Sequence, residues 1–181
     1  MRKLITNIAI LAGLDTEHKL RLAGKDMSHF DTLDNAWLLM EDGKFKAWGK
    51  MSEMPADGIT AEERIDAKGG CVMPSWCDPH THIVFAGSRE AEFVDKICGL
   101  SYAEIAKRGG GILNSADLLH TLTEDELYRA AKHRAEEIML KGTGCVEIKS
   151  GYGLTTDDEL KMLRVIRRLK EDTPLRIKST F

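Results

Sequence analysis

Asp78-Pro79-His80-Thr81-His82 is the segment of this sequence best equipped for chemistry. Alternate residues of a β-strand point to one face, so His80 and His82 would present two imidazoles side by side if the segment is extended. Neutral imidazole binds zinc, iron and related metals. An H-x-H pair at the end of an apolar strand therefore supplies half of a mononuclear metal site. Two surface histidines would carry the same spacing, and the pair alone leaves both readings open. Arg89 follows closely. Its planar guanidinium suits a carboxylate gripped through two N–H donors; the plainer alternative is a surface pair with Glu90 or Glu92. Tyr152 sits in Ser150-Gly151-Tyr152-Gly153, where the glycines let backbone approach a ligand closely. Gly109-Gly110-Gly111 lacks the following Gly-Lys-Ser/Thr of a phosphate loop and reads as a flexible pocket loop.

The elements that would hold these residues change character near residue 70. Before it, short apolar runs at 4–11, 36–40 and 45–49 alternate with turn residues, and Asp42-Gly43 predicts a tight hairpin. Residues 1–70 read as a small β-segment. After it, strand, loop and helix alternate. Residues 71–73 and 78–85 are strand-like. Ser101 with Glu104, Thr123 with Glu126 and Thr156 with Glu159 have the spacing of helix capping boxes. Val146-Glu147-Ile148 is a β-branched strand segment, and another strand begins after Pro174. Strands alternating with helices predict an α/β unit with a parallel sheet, whose ligands gather at the C-terminal strand ends. His80, His82 and Tyr152 all fall at such ends.

Composition narrows the classes. A formal net charge of -3 without basic runs argues against a nucleic-acid partner. Cys71, Cys77, Cys98 and Cys145 form no C-x-x-C pair, so the simplest reading is four reduced thiols in a cytoplasmic protein. The apolar stretch at 4–14 follows Arg2 and Lys3, as a signal peptide would. Thr6 and Asn7 interrupt it and no small-x-small site follows, so it reads as a first strand. No apolar run approaches the ~20 residues needed to span a membrane.

Further strings accompany the histidine pair. They are Val84-Phe85-Ala86-Gly87-Ser88-Arg89-Glu90, then Ser101-Tyr102-Ala103-Glu104-Ile105, Glu147-Ile148-Lys149-Ser150-Gly151-Tyr152-Gly153-Leu154 and Glu159-Leu160-Lys161-Met162-Leu163. In this order they resemble the imidazolonepropionase family of the amidohydrolase superfamily, weakly over residues 1–70 and strongly afterwards. The histidine pair alone indicates only the superfamily; the F-A-G-S-R and K-S-G-Y-G-L strings are more specific. The resemblance implies a (β/α)8 TIM-type barrel of the metal-dependent hydrolase type, begun by residues 71–181, with a small β-sandwich built partly from residues 1–70. It implies one metal, zinc or iron, and a small-molecule substrate. The implied reaction is hydrolysis of 4-imidazolone-5-propanoate to N-formimidoyl-L-glutamate in histidine degradation. His80 and His82 would be metal ligands, Arg89 the partner of the substrate's propionate, and Tyr152 and Tyr102 pocket residues. Lys149 reads as a supporting residue rather than the carboxylated lysine that bridges two metals in some amidohydrolases.

In the family a third histidine and an aspartate complete the metal site. A proton-transferring glutamate and a substrate-binding histidine accompany them. All four are expected beyond Phe181, so the barrel is expected to be incomplete, with no catalytic residue in the chain. The 181-residue chain alone should then show no turnover, and the full-length protein is expected to be a homodimer. His18, His29, His120 and His133 match no ligand spacing, and residues 113–117 depart from the family's wording. Two rival readings are another cyclic amidase or deaminase of the superfamily, and a non-catalytic fragment.

Overall fold

Trp37 and Leu39 point to one face of a strand, Ala36 and Leu38 to the other, and all of them are buried. The strand, β2 (Thr32–Glu41), is therefore covered on both faces. In the computed structural model, which describes residues 1–15, 17 and 19–181, β2 lies inside a five-stranded sheet. His18 lies outside the described residues. On one side β2 pairs antiparallel with β1 (Arg2–Ala12), on the other with β3 (Lys44–Lys50). Asp42 and Gly43 connect β2 to β3 with φ of 50° and 75°, the two left-handed residues that a type I′ hairpin requires. β4 (Glu63–Asp66) and β5 (Cys71–Val72) pair in parallel with successive stretches of β1. The predicted strand at 71–73 thus belongs to this sheet and opens no second one, because the backbone of Ile10 and Leu11 takes it up. Leu4, Trp37, Leu39 and Ile59 pack on one face; Ile8, Leu11, Ala36 and Leu38 pack on the other.

These strands make up a first compact unit, Met1–Pro74; the second is Ser75–Phe181. The second unit is α/β. Its strands β6 (Trp76–Thr81), β7 (Thr143–Lys149) and β8 (Arg176–Thr180) are parallel and adjacent in that order. Between β6 and β7 come α1 (Glu90–Ile97), α2 (Tyr102–Lys107), α3 (Ile112–Thr121) and α4 (Glu124–Leu140); α5 (Thr156–Asp172) connects β7 to β8. The predicted capping boxes open α2 and α4, each with its Ser or Thr hydroxyl and Glu carboxylate engaged reciprocally. At α5 the cap is Thr155 with Asp158, one residue before the predicted Thr156 and Glu159. Glu159 is engaged elsewhere, as described below. The helices α1 and α3 lack a Ser/Thr capping box, so no cap signature marks them in the sequence.

Val146, Ile148 and Ile177 of the sheet meet Leu127, Ala131 and Ala135 of α4 and Met162, Ile166 and Leu169 of α5 in one apolar cluster. Arg134 lies on the same stripe of α4. Its Nε donates to the carbonyl of Ile83 at 2.9 Å and its Nη2 to that of Phe85 at 2.8 Å. The guanidinium also stacks 3.7 Å from the Phe85 ring centre. This corrects the strand predicted over 78–85. β6 ends at Thr81, and the carbonyls beyond it are satisfied by a side chain instead of a neighbouring strand. No helix among the described residues is long and apolar enough to cross a membrane.

Leu169 is fully buried and Leu140 is 89% exposed. Leu169→Ala should therefore destabilise the protein by about 2–5 kcal/mol, and Leu140→Ala by no more than about 0.5 kcal/mol. Chemical denaturation of the two variants checks the contrast.

Candidate active site

Val146 and Ile148 of β7 are fully buried against the helices. Glu147 and Lys149 alternate with them and so face the opposite side of the sheet, away from the helices. The register of β6 decides what joins them there. Asp78 pairs with Val146 and Thr81 with Ile148, so β6 carries one more residue than β7 over this stretch. Such a bulge reverses the facing of every later side chain. Thr81 shares the side of Ile148, and its hydroxyl donates to the Glu147 carbonyl at 2.6 Å. His80 and His82, flanking Thr81, are thereby turned to the side of Glu147 and Lys149. Their ring centres are 5.5 Å apart. Burial, His80 and Lys149 together push the His82 imidazolium below its usual pKa. Its Nδ1 is buried without a hydrogen-bond partner. Lys149 pairs with Glu147 at 3.3 Å, and Glu147 also accepts from the Thr180 hydroxyl at 2.5 Å. Cys77 and Cys145 are in register on this same side, and their contact pushes the Cys77 thiol up.

Tyr152 reaches this cluster from the loop after β7, its ring 5.1 Å from that of His82. The loop is fastened by one side chain. Glu159, in the first turn of α5, accepts the N–H groups of Gly151 at 2.8 Å and Gly153 at 2.7 Å, with Leu154 at 3.3 Å. Burial works against its charge, but the Ser150 hydroxyl and these N–H donors hold the carboxyl below the ordinary range. A Cβ at Gly153 would stand 2.6 Å from the Glu159 nitrogen, so the loop lies against the helix end more closely than any side chain permits. The spacing of Glu159 from Thr156 predicts a cap, and the structure uses Glu159 to hold the loop instead.

Arg89 precedes α1, and its Nε and Nη2 donate to Glu92 Oε2 at 2.9 and 2.6 Å. The plainer pairing with Glu92 is therefore present. Glu92 itself is 9% exposed, and its other oxygen accepts the Gly111 N–H at 2.8 Å. Arg89 also lies within electrostatic reach of Tyr152 and Tyr102. Tyr102 opens α2 with its side chain exposed, and a Cβ at Gly111 would come within 3.3 Å of its hydroxyl. Gly109 and Gly110 close one side of a cavity of about 190 Å³ bounded also by Ser88, Arg89, Glu92 and Asn114.

Among the described residues of the second unit, His120 and His133 take other partners. His29 is exposed and His133 faces Glu137 at 3.7 Å on α4. His120 Nδ1 lies 2.9 Å from Asp158, a buried carboxylate that also receives Lys161 at 2.9 Å and the Thr155 hydroxyl at 2.8 Å. Lys161 donates onward to the carbonyls of Leu119 and Leu122, so this group ties the end of α3 to the start of α5. Among the described residues no group of three His, Cys, Asp or Glu side chains converges as a metal site. The neighbouring imidazoles of His80 and His82, one with an unpartnered ring nitrogen, fit half of one.

The fold is shared with solved structures of amidohydrolase-superfamily enzymes. A triazine hydrolase from Arthrobacter aurescens matches 99% of this chain and 35% of its own, with a TM-score of 0.60 and 16% identity. Guanine deaminase from C. acetobutylicum matches 99% of this chain and 36% of its own, at a TM-score of 0.56 and 15% identity. No family model matches. Curated relatives narrow the class. The imidazolonepropionase of Christiangramia forsetii is 53% identical over all 181 residues, and that of Flavobacterium psychrophilum 52%. The chain spans 44% of the length of each. This similarity identifies the chain as a portion of an imidazolonepropionase-type sequence.

The His120 ring, the Lys161 ammonium and the Thr155 hydroxyl hold Asp158 far below the usual carboxylate pKa. A carboxyl that ionises more readily when folded adds stability above its ordinary pKa, and loses that contribution as pH falls toward its folded one. Asp158→Asn should thus cost stability at about pH 7, with the difference from wild type shrinking toward about pH 3. Denaturation curves of both proteins at the two pH values check this; a pH-independent difference contradicts it.

Proposed function

We propose that the whole protein is an imidazolonepropionase, hydrolysing 4-imidazolone-5-propanoate to N-formimidoyl-L-glutamate in histidine degradation. The observation that carries the reading is the grouping, in a chain of this family likeness, of His80, His82 and Tyr152 on one side of a parallel sheet. On this reading β6, β7 and β8 with α4 and α5 begin a (β/α)8 barrel, and the N-terminal sheet contributes to a small β-sandwich. The parallel order and helical crossovers of β6–β8 favour the first assignment, and the burial of both faces of β2 favours the second.

His80 and His82 would hold one metal ion, zinc or iron. The common facing of both rings supports this, as do the open Nδ1 of His82 and the environment that keeps this ring neutral. Atrazine chlorohydrolase TrzN from Arthrobacter aurescens, whose fold this chain resembles, has been solved in complex with zinc. A bound metal supplies Lewis acidity, which makes water a nucleophile at neutral pH and polarises the ring carbonyl. The residues of this chain position the substrate. Arg89 offers its free guanidinium edge to the propionate, which fixes the distance from tail to carbonyl. Tyr152 packs beside His82 and shields one side of the ring from water, and Tyr102 lines the tail end. Lys149, paired with Glu147, keeps its charge directed to the sheet and acts as a support. The third histidine, the aspartate and the proton-transferring glutamate of the family resemblance belong to later strands.

Purified full-length protein should consume 4-imidazolone-5-propanoate and lose the activity to a chelator. His80→Ala and His82→Ala should lose both metal and turnover. Arg89→Ala should raise KM by roughly 10- to 100-fold, the loss expected for a charged hydrogen-bonding partner. Turnover of guanine or a triazine in place of the imidazolone would redirect the assignment to a sister enzyme.

A further inference from the structure

A guanidinium has two usable edges, one formed by Nε and Nη2 and the other by Nη1 and Nη2. Glu92 takes the first edge of Arg89 with a single oxygen, Oε2, at 2.9 and 2.6 Å. The second edge, with the Nη1 donors and the remaining Nη2 proton, is left for another partner. Oε1 of Glu92 is spoken for as well, by the N–H of Gly111. Glu92 is the first-turn acidic residue of α1 that turns inward and is buried there, whereas Glu90 remains at the surface with Ser88. Gly111 in turn has φ of 88° and lies against the Tyr102 hydroxyl.

We propose that Glu92 is a positioning residue for recognition of a carboxylate-bearing ligand. It docks one edge of Arg89 and anchors that edge to the glycine loop, leaving the other edge aimed and fixed for a two-point grip on the ligand's carboxylate. The proposal rests on Arg89 being the group that binds the substrate's carboxylate, and it adds that the grip belongs to the Gly111–Glu92–Arg89 chain of contacts. An arginine held this way loses little side-chain freedom on binding, so preorganisation appears directly as affinity for the tail.

The test uses the full-length metal-loaded protein and two probes that share a ring, 3-(imidazol-4-yl)propanoate and 4-propylimidazole. The probes differ only in the carboxylate. Glu92→Gln keeps the shape and removes the charge that orients Arg89. It should weaken the acid about 10-fold, the worth of one charged hydrogen bond, and leave propylimidazole affinity unchanged. Combined with Arg89→Ala it should add nothing further, because the two residues then act as one unit. If Glu92→Gln does not fold, Glu92→Asp serves instead. Its shorter carboxylate cannot span Arg89 and Gly111 together, so it should weaken the acid selectively in the same way.

Unchanged affinity for the acid overturns the proposal. So does equal weakening of both probes, or additive loss in the double variant. Wild-type protein that does not prefer the acid overturns the role of Arg89 and this proposal with it. Wild-type protein that prefers the acid in a Glu92-dependent way but does not hydrolyse the imidazolone overturns the reaction alone.

Discussion

One additional residue in β6, between Asp78 and Thr81, turns the imidazoles of His80 and His82 away from the helices. Without it, His80 would pair with Ile148 and share the fully buried face that packs against α4 and α5. A polar ring forced into that face would lose its water without gaining a partner. With it, both rings join Glu147, Lys149 and Thr180 on the polar side, and Tyr152 meets His82 there. Much of the site depends on that register: the separation of the rings, the open nitrogen of His82 and the reach of Tyr152.

Around this strand the second unit uses buried or half-buried charges as fasteners for backbone that forms no ladder. Arg134 gathers two carbonyls after β6, Glu159 gathers N–H groups after β7, and Glu92 takes the N–H at the start of α3. Each is carried by a helix, so each loop inherits its position from a helix packed or capped nearby. Asp158 and Lys161 extend the pattern between α3 and α5. The apolar cluster positions the helices, and these few charges pass that positioning on to the loops at the strand ends.

The sequence disclosed the parts of this arrangement that depend on local pattern. The Asp42-Gly43 hairpin, the caps at Ser101 and Thr123, and the parallel pairing of the strands that carry Val146 and Ile177 follow from turn chemistry and the alternation of strands with helices. The histidine pair was legible as a pair, but its facing was not, because a bulge has no residue signature as plain as Asp-Gly. The end of β6 at Thr81 was missed because residues 82–85 look like strand, and only a partner on α4 makes them loop. The cap of α5 was misplaced by one residue because Thr155 and Thr156 both carry an acidic residue three positions later. Three-dimensional competition for Glu159 decides between them. Glu92 was named only as a plain partner for Arg89, since its second bond to Gly111 spans too much chain for a motif to reveal.

Arg134 carries a consequence for how this chain can vary. It meets two carbonyls with two nitrogens of one rigid plane and lays that plane on Phe85. Lysine has a single nitrogen and no plane, and glutamine is too short and places an acceptor where a donor is needed. The interior of a helix usually tolerates exchange among long side chains, but at this position only arginine can make both bonds and the stack together. The route of the chain as it leaves the histidine strand is therefore encoded about fifty residues downstream, in a helix that contributes nothing to the site itself.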